Sequence, residues 1–346
     1  MTKNAGLVPL AGKNIKELEE LLSPLPRFRS AQIYEWILKG VFSFEEMTNI
    51  PSDLKNELPQ KFRFFDTTVK SCEEDGKTKK IAVELKDNSK IEAVLLEDGN
   101  DRKTACLSTQ VGCPAGCVFC KTGSLGFKRN LEYHEITEQF FHLKNLTNED
   151  GIGNIVIMGM GEPLLNYDNL KTAIETFTDK KGMNFSKRRI TVSTCGIVDG
   201  LNKIAQNGPY VRLALSLATA DEDLRNKLMP VTKANPLDKI KEALLIYQKK
   251  SGSRITLELP LLGGINTREK DAQTIANFSK GLDTVINLIP WNPVEGLGFE
   301  GKQILEPSKP EIENFKNMLE RKKLNVTLRL HKGKKINGAC GQLGSI

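Results

Sequence analysis

The segment Cys113-Pro-Ala-Gly-Cys117-Val-Phe-Cys120 places three cysteines in one short loop, with the spacing C-x3-C-x2-C. Three thiolates at this spacing can meet without a contribution from distant segments. A structural zinc site uses four ligands, so these cysteines would need Cys106 or His134 as the fourth. Three thiolates are also enough for a [4Fe–4S] cluster in which one iron stays open to an outside ligand. Both interpretations predict a metal centre in this loop.

Apolar strand-like runs alternate with segments of helical periodicity around this loop. The predicted strands are residues 105–109, 154–158, 189–194, 211–217, 254–259 and 284–289. Six such units predict a parallel sheet covered by helices, either an open doubly wound sheet or a partial barrel. The cysteine loop follows the first strand, and ligands bind at the C-terminal ends of parallel strands. This position favours a catalytic cluster, because a structural zinc knuckle has no preference for it.

Small and polar residues recur where the predicted strands end. The second strand ends in Met158-Gly-Met-Gly-Glu-Pro163, the third in Ser193-Thr-Cys-Gly, the fourth in Ser216-Leu-Ala218, and the sixth runs into Trp291-Asn292-Pro293. Glycines allow a ligand to approach the backbone closely, and Glu162 can accept hydrogen bonds from an ammonium group. Each tip alone would be an ordinary turn. Together, beside the cysteine loop, they predict a site for a polar ligand.

Two regions precede this core, which is predicted to span residues 101–346. Residues 1–63 are predicted to form a small helical domain, in which Asn14 caps a helix with Glu17 as its capping-box partner. Residues 64–100 are predicted to form an extension or linker built on a β-hairpin. Its strands are the runs 80–85 and 90–96, separated by turn residues.

Composition and charge limit the classes of protein to consider. In the 346 residues, no apolar run is long enough to cross a bilayer, and the N-terminus lacks the apolar core of a secretory signal. Seven cysteines, an odd number spread unevenly, do not suggest a secreted disulfide framework, so a cytoplasmic protein is expected. The net charge is +7, and residues 301–346 hold ten Lys and Arg against four Glu. This basic end indicates either a polyanionic partner such as RNA or a solubilising surface.

Two further cysteines lie in positions that suggest chemistry. Cys106 is inside the first predicted strand, and Cys340 is in a glycine-rich C-terminal segment beside Lys334 and Lys335. Nearby cations lower the pKa of a thiol and increase its thiolate fraction. Cys340 is therefore either a nucleophile that reaches into the site or an incidental residue of the tail. Cys72 and Cys195 lack such surroundings and are expected to be structural.

These motifs resemble the radical S-adenosylmethionine (SAM) superfamily, and within it the RlmN/Cfr family of RNA-adenine C2-methyltransferases. The segments that carry the resemblance are Ser108-Thr-Gln-Val-Gly-Cys113, Gly126-Phe-Lys-Arg-Asn-Leu131, Met158-Gly-Met-Gly-Glu-Pro163, Lys187-Arg-Arg, Asn287-Leu-Ile-Pro-Trp-Asn-Pro293 and Ala339-Cys-Gly-Gln-Leu343. The segment 289–293 is closer to the RlmN branch than to the Cfr branch. The resemblance implies a partial (β/α)6 radical-SAM barrel, to which the small N-terminal helical domain and the β-hairpin extension are added. Residues 1–63 are expected to contact RNA, because their basic side chains leave room for a phosphate-contacting face: Arg27, Arg29, Lys39 and Lys61.

The resemblance further implies roles for individual residues. Cys113, Cys117 and Cys120 would hold a [4Fe–4S] cluster, whose open iron chelates the amino and carboxylate groups of SAM. Cys340 would carry the methyl group, with Glu92 as general base and Cys106 as the thiol that releases the product. The implied SAM contacts are Gly161, Glu162, Ser193, Ser216, Leu217, Ala218 and Asn292.

The implied reaction consumes two SAM molecules per turnover, because C2 of adenine is electron-poor and not a useful nucleophile. Cys340 takes a methyl group from the first SAM, and reductive cleavage of the second gives a radical that abstracts hydrogen from the S-methyl group. The resulting methylene radical adds to C2, a base removes the C2 proton, and Cys106 attacks Cys340 to release the product through a disulfide. The implied substrates are an adenine in the peptidyl-transferase loop of 23S rRNA and the adenine beside the tRNA anticodon. A reductant such as flavodoxin or ferredoxin is implied as well, and we expect a monomer.

Three positions depart from the family pattern. Ala218 stands where histidine is usual, Lys335 where an aspartate is usual, and Leu259 where tyrosine is usual. A diverged paralogue that methylates a different RNA adenine position is therefore one alternative. A non-catalytic, metal-bearing RNA-binding protein is an alternative from another class, and iron rather than zinc content would exclude it. The five cysteines of the proposed chemistry are all present, and we expect activity.

Overall fold

The N-terminal part of the molecule is a small helical unit closed by two short strands. The computed structural model describes residues 6–98, 101–147, 151–329, 333 and 335–344. The N-terminal elements are β1 (Val8–Pro9), α1 (Ile15–Leu21), α2 (Arg27–Lys39), α3 (Ser52–Glu57) and β2 (Phe62–Arg63), with β1 and β2 paired in parallel. Asn14 caps α1, as predicted, since its side-chain oxygen accepts the N–H groups of Lys16 and Glu17 at 3.0 and 3.1 Å. The predicted role of Glu17 in a capping box is wrong, because its carboxylate accepts a hydrogen bond from the Tyr133 hydroxyl instead.

Residues 68–97 form three antiparallel strands, one more than the predicted hairpin. They are β3 (Thr68–Asp75), β4 (Thr78–Glu84) and β5 (Lys90–Glu97). The sequence predicts β4 and β5 but not β3, because β3 is an almost wholly exposed strand without apolar alternation. The last of the three, β5, pairs with the first strand of the core. The extension therefore continues the core sheet.

The remaining chain alternates strands and helices. In chain order these elements are β6 (Lys103–Cys106), β7 (Gln110–Gly112), α4 (Lys121–Ser124), β8 (Phe127–Asn130), α5 (Tyr133–Lys144), β9 (Asn154–Ile157), α6 (Tyr167–Thr178), β10 (Ile190–Thr194), α7 (Val198–Asn207), β11 (Arg212–Ser216), α8 (Glu222–Leu228), α9 (Leu237–Ser251), β12 (Ile255–Leu261), α10 (Glu269–Ser279), β13 (Thr284–Pro290), β14 (Gly298–Phe299), β15 (Lys302–Gln303), α11 (Lys309–Arg321) and β16 (Val326–Leu328). The six predicted β/α strands correspond to β6 and β9 to β13.

Ten strands form one open sheet in the order β16-β13-β12-β11-β10-β9-β6-β5-β4-β3. The strands from β6 to β16 run parallel, and each lies beside the next one along the chain. A doubly wound sheet would reverse its strand order at a switch point. The sequential order is that of a barrel, so the prediction of a partial (β/α)6 barrel with an N-terminal helical domain is confirmed.

Successive side chains along a strand face alternately the apolar core and the cavity inside the barrel. In β12, Ile255 and Leu257 are fully buried outside the sheet, whereas Thr256 and Glu258 line the space inside it. Glu258 lies directly opposite Asn287 of β13, whose side-chain amide donates to it at 2.7 Å. The apolar core therefore lies between sheet and helices, while the interior of the barrel is polar.

Candidate active site in the barrel cavity

The three cysteines of the loop lie between β7 and α4. The N–H of Cys113 donates to the carbonyl of Gly126 at 2.8 Å, which fixes the loop to β8, and Cys120 immediately precedes α4. Burial raises the pKa of Cys113 to about 12 and that of Cys117 well above its usual value, and the neighbouring thiols add to both shifts. Burial likewise raises the pKa of Cys120. The three sulfur atoms therefore lie close enough to interact, and their ionised forms need a compensating positive charge.

A cavity of about 750 Å³ runs through the barrel from the C-terminal to the N-terminal ends of the strands. Cys106, Cys120 and Cys340 line its C-terminal end, together with Asn292. Three exposed arginines line its other end: Arg102, Arg189 and Arg212. The fold thus brings together two of the remote cysteines and one cysteine of the loop, which are up to 234 residues apart in sequence.

Arg329, which follows β16, is the cation beside the two remote thiols. Its pKa is raised by the negative charge of Cys340, and further by Glu258 and Cys106. Burial raises the pKa of Cys106 to about 12, and Arg329 opposes this shift. Of the two lysines that the sequence places near Cys340, Lys335 donates its backbone N–H to Asp75 at 3.3 Å, and Lys334 lies outside the described residues. The sequence did not single out Arg329.

Glu162 follows β9, and its hydrogen bonds join the end of β9 to the end of β10. Its buried carboxylate accepts hydrogen bonds from the Thr194 hydroxyl at 2.7 Å, from the Cys195 N–H at 2.7 Å and from the Leu164 N–H at 2.9 Å. Burial raises the pKa of Glu162, while these donors lower it. The thiol of Cys195 is a further donor to this carboxylate.

The glycines beside Glu162 are required by the neighbouring chain. A Cβ atom on Gly159 would lie 2.5 Å from the Ser108 hydroxyl oxygen, and one on Gly161 would lie 2.5 Å from Cβ of Gln110. Gly161 also has a φ of 102°, which favours glycine. Gly159 and Gly161 therefore allow residues 108–110 to pack closely against the segment that follows β9.

The other predicted SAM contacts also lie at the strand ends. The hydroxyl oxygens of Ser193 and Ser216 are 3.1 Å apart, which joins the tips of β10 and β11. Leu217 and Ala218 follow directly and are buried, with Ala218 in the left-handed region at a φ of 58°. Asn292 lies buried after β13.

Arg225 of α8 is a buried charge that the sequence did not reveal. Its guanidinium donates to the carbonyl oxygens of Cys195 at 2.7 Å and Leu217 at 3.1 Å, so it ties together the segments that follow β10 and β11. The negative charges of Cys195 and Cys117 raise its pKa, against a larger lowering by burial. Arg225 therefore lies beside the cysteine loop. An arginine within a short charged helix carries no pattern that would have predicted this burial.

Glu92 does not line the cavity but lies in a closed cluster beside it. Its side chain is fully buried, with Lys80 Nζ 3.0 Å from Oε1 and the N–H of Gly344 2.5 Å from Oε2. The hairpin register pairs Ala82 with Glu92, which makes Lys80 a diagonal neighbour of Glu92. This register could have revealed the ion pair from the sequence.

His134, one of the two proposed fourth zinc ligands, lies on α5 and faces the linker. Its Nε2 is 3.4 Å from Asp66 Oδ2. The other, Cys106, lies beside Cys340 and Arg329. Among the described residues, no group of three His, Cys, Asp or Glu side chains is arranged to hold a single metal ion.

Comparisons with known proteins agree with this architecture. The description "Radical SAM superfamily" matches residues 107–275, and "Ribosomal RNA large subunit methyltransferase N-terminal domain" matches residues 8–63. A protein of Treponema denticola, named "Probable dual-specificity RNA methyltransferase RlmN", is 49% identical over 338 residues, which is 97% of this chain and 95% of the relative. The chain belongs to the RlmN family. The resemblance found in the sequence is thereby confirmed.

Two further comparisons extend over nearly the whole chain. A relative of the same name from Dictyoglomus turgidum is 40% identical and covers 93% of this chain and 91% of its own length. The crystal structure of a radical SAM methyltransferase from Sphaerobacter thermophilus is 34% identical, with a TM-score of 0.91 over 97% of this chain and 99% of that one. The barrel and its additions are therefore shared in sequence and in structure.

The radical SAM superfamily uses a [4Fe–4S] cluster and SAM. The residues of this chain fit such groups, because two buried polar atoms at the site have no hydrogen-bond partner within the described ranges: Asn292 Oδ1 and Arg225 Nη1. Leaving such atoms unpaired costs about 1–3 kcal/mol each, which a polar ligand would offset. The three neighbouring thiols supply the anionic donors that iron requires.

All seven cysteines are free thiols. The disulfide between Cys106 and Cys340 is therefore not a structural bond of this molecule. None of the helices in the described ranges is long and apolar enough to span a membrane.

Proposed function

We propose that this RlmN-family chain methylates C2 of adenine in RNA, with Cys340 as the methyl carrier. The proposed substrates are an adenine in the peptidyl-transferase loop of 23S rRNA and the adenine beside the anticodon of tRNAs. The observation that carries the proposal is the convergence of Cys340 and Cys106 on the cavity that Cys120 also lines. A carrier thiol, a second thiol and a cluster ligand are the parts that this reaction needs.

The proposed chemistry divides between the bound groups and the chain. Cys113, Cys117 and Cys120 would hold the cluster, and Glu162, Ser193, Ser216 and Asn292 would bind SAM. When bound, the cluster and SAM would supply a methyl group and a carbon radical. A one-electron reductant such as flavodoxin or ferredoxin would provide the electron, and the chain would act as a monomer.

The chain itself controls the two remote thiols. Cys340 is exposed and lines the cavity, with the guanidinium of Arg329 beside it. Cys106 is buried, and its pKa of about 12 keeps it protonated and unreactive. This difference supports the proposed order, in which Cys340 reacts first and Cys106 acts only at product release.

The experiment compares Cys340→Ala and Cys106→Ala in protein reconstituted with iron and sulfide and given SAM, reductant and an rRNA fragment. Cys340→Ala should abolish methylation and keep the iron content of the wild type, about four per chain. Cys106→Ala should accumulate RNA covalently joined to Cys340. Mass mapping of the RNA should find the methyl group on C2 of adenine.

Cys72→Ala is the matched control, because Cys72 is an exposed thiol on the outer strand β3. It should methylate RNA at the wild-type rate. Normal product release by Cys106→Ala would contradict the resolving role. Zinc instead of iron, or SAM cleavage without RNA methylation, would contradict the whole proposal. Methylation of a different adenine position would favour the diverged paralogue that the departures at Ala218, Leu259 and Lys335 leave open.

A further inference from the structure

Glu92 joins three separate parts of the chain through one buried carboxylate. Its Oε2 accepts the N–H of Gly344 at 2.5 Å, and Lys80 Nζ of the neighbouring strand β4 lies 3.0 Å from Oε1. The side chains of Lys80 and Glu92 are only 4% and 0% exposed. The backbone oxygen of Glu92 accepts the hydroxyl of Ser108 at 2.6 Å. Strands β4 and β5, the start of the core and the C-terminal segment therefore meet at this residue.

The C-terminal segment lies between Glu92 and the cavity. Side chains two residues apart on a strand share a face, so Glu92 faces the same side of β5 as Leu96, which lines the cavity. Leu343 lines the cavity, and the next residue, Gly344, donates its N–H to the Glu92 carboxylate. The carboxylate is directed toward the cavity but closed off from it.

The same segment carries Cys340 and is anchored on the cysteine-loop side as well. The carbonyl oxygen of Gly341 accepts the N–H of Lys121 at 2.8 Å. The carbonyl oxygen of Leu343 accepts the hydroxyl of Thr122 at 2.6 Å. Gln342 also donates to the carbonyl oxygen of Pro293 at 3.3 Å. Among the anchors that set the position of Cys340, α4 therefore lies on one side and Glu92 on the other.

We propose that Glu92 and Lys80 form a latch that holds the Cys340 segment, and that Glu92 becomes available to substrate only when Gly344 releases its carboxylate. The inference rests on the proposed function, and on the role of Glu92 as the base for the C2 proton that the family resemblance implies. A fully buried carboxylate that is bonded to Gly344 and does not line the cavity cannot reach a base there, so the two roles alternate. Glu92 holds Cys340 in place while it is methylated, and acts as the base once the segment has shifted.

Lys80 is a positioning residue in this device. A buried carboxylate without a partner is strongly unfavourable. The ammonium of Lys80 compensates the charge of Glu92 both when Gly344 is bonded to Glu92 and after Gly344 has been released. Oε1 accepts no hydrogen bond from the described residues, so the Lys80 contact is a charge pair that leaves a lone pair of this oxygen free.

The first test is hydrogen exchange at the Leu343 and Gly344 amides of the full-length chain. Hydrogen bonds to charged acceptors are the strong ones, so Glu92→Ala should raise the exchange rate of Gly344 about tenfold or more. Adding an RNA hairpin with an unpaired adenine should raise it in the wild type too. An unchanged rate in Glu92→Ala would overturn the proposal.

The second test is the fraction of Cys340 that becomes S-methylated, measured by peptide mass. A latch predicts that Glu92→Ala and Lys80→Met both lower it severalfold, as does Thr122→Val, which loosens the other anchor without touching Glu92. If Glu92 were a base alone, S-methylation would stay at the wild-type level, and that result would overturn the proposal.

Lys80→Met leaves a buried carboxylate unpaired, so the double variant Lys80→Met/Glu92→Gln removes both charges and preserves the shape of the pair. Its glutamine oxygen can still accept the Gly344 N–H, so exchange should stay slower than in Glu92→Ala while RNA methylation is lost. Exchange as fast as in Glu92→Ala would contradict the latch. Exchange that behaves as predicted in a protein that never methylates RNA would instead refute only the proposed function.

Discussion

His142, Thr67 and Glu138 form a buried hydrogen-bonded chain where the linker meets α5. The Thr67 hydroxyl lies 2.8 Å from His142 Nε2 and donates to Glu138 at 2.7 Å. A hydroxyl has one proton to give, so His142 is the donor and carries its proton on Nε2. Glu138 also accepts the backbone N–H groups of Asp66 and Thr67. Burial nevertheless raises the pKa of Glu138 to about 7 and lowers that of His142 to about 4.

We predict that His142 makes the fold less stable in acid. A histidine whose pKa is lowered on folding contributes stability above its unfolded pKa of 6.5, and this is lost as the pH falls toward 4. A lowering from 6.5 to about 4 corresponds to about 3 kcal/mol. Urea unfolding of the wild type and His142→Gln between pH 4 and 7 should give free energies that converge at low pH. A constant difference across this range would contradict the prediction.

Glu138 is the control for this prediction, because its pKa shift has the opposite sign to that of His142. Its pKa is raised on folding, so its contribution is complete below pH 4.5 and is lost as the pH rises through about 7. The free energy of unfolding of Glu138→Gln, relative to the wild type, should therefore change in the opposite direction to that of His142→Gln over the same range.

The hairpin of β7 and β8 determines where the cysteine loop begins. Gly112 ends β7 with a φ of 72°, and a Cβ atom there would lie 1.9 Å from the carbonyl oxygen of Gly126. The same oxygen accepts the N–H of Cys113 at 2.8 Å. The hairpin can therefore hold Cys113 only with glycine at 112.

We predict that Gly112→Ala lowers the iron content of the reconstituted protein and destabilises the fold by about 3 kcal/mol or more, because a backbone clash adds to the left-handed strain. Gly126→Ala is the matched control. Gly126 also has a positive φ, 74°, but its Cβ would meet nothing within 4 Å. It should cost only about 1–2 kcal/mol and leave the iron content unchanged. Equal iron contents in the two variants would show that the hairpin does not position Cys113.

At the level of the whole molecule, α5 joins the N-terminal domain to the barrel. The hydroxyl of Thr137 donates to the carbonyl oxygen of Gly12 at 2.8 Å, and Lys144 donates to the carbonyl oxygen of Leu38. Residues 8–63 are thereby held on the outside of the barrel, at the second helix after the cysteine loop. If they contact RNA, as expected from the sequence, they do so from a fixed position.

We predict that the arginine end of the cavity contributes to RNA binding through phosphates. Arg189→Gln should reduce the slope of log K against log salt by about 1 and weaken binding equally for different RNA sequences. Arg188→Gln is the control, since Arg188 is an exposed neighbour of the same charge outside the cavity lining. Titrating an RNA hairpin at several salt concentrations measures both slopes. Identical slopes for the two variants would indicate a general charge effect rather than a contact at the cavity.

The sequence predicts the motifs and the order of strands and helices, because both depend on residues that are close together in the chain. The C-x3-C-x2-C loop brings its thiols together within eight residues. The partial barrel follows from apolar runs whose order along the chain is also their order in the sheet. The exposed strand β3 was missed because it buries almost no apolar surface and so leaves no periodic pattern.

The surroundings of each functional group depended on tertiary structure. Arg329 beside Cys340, Arg225 beside the cysteine loop, and Gly344 on Glu92 all involve contacts between elements far apart in the chain. A local pattern shows that a charged residue is present, but not whether the fold buries it or which charge it meets. Burial and charge partners set the pKa of a thiol and the availability of a base. The sequence by itself therefore determined the family and the candidate residues, whereas folding determined which thiol is paired with a cation and which carboxylate is covered.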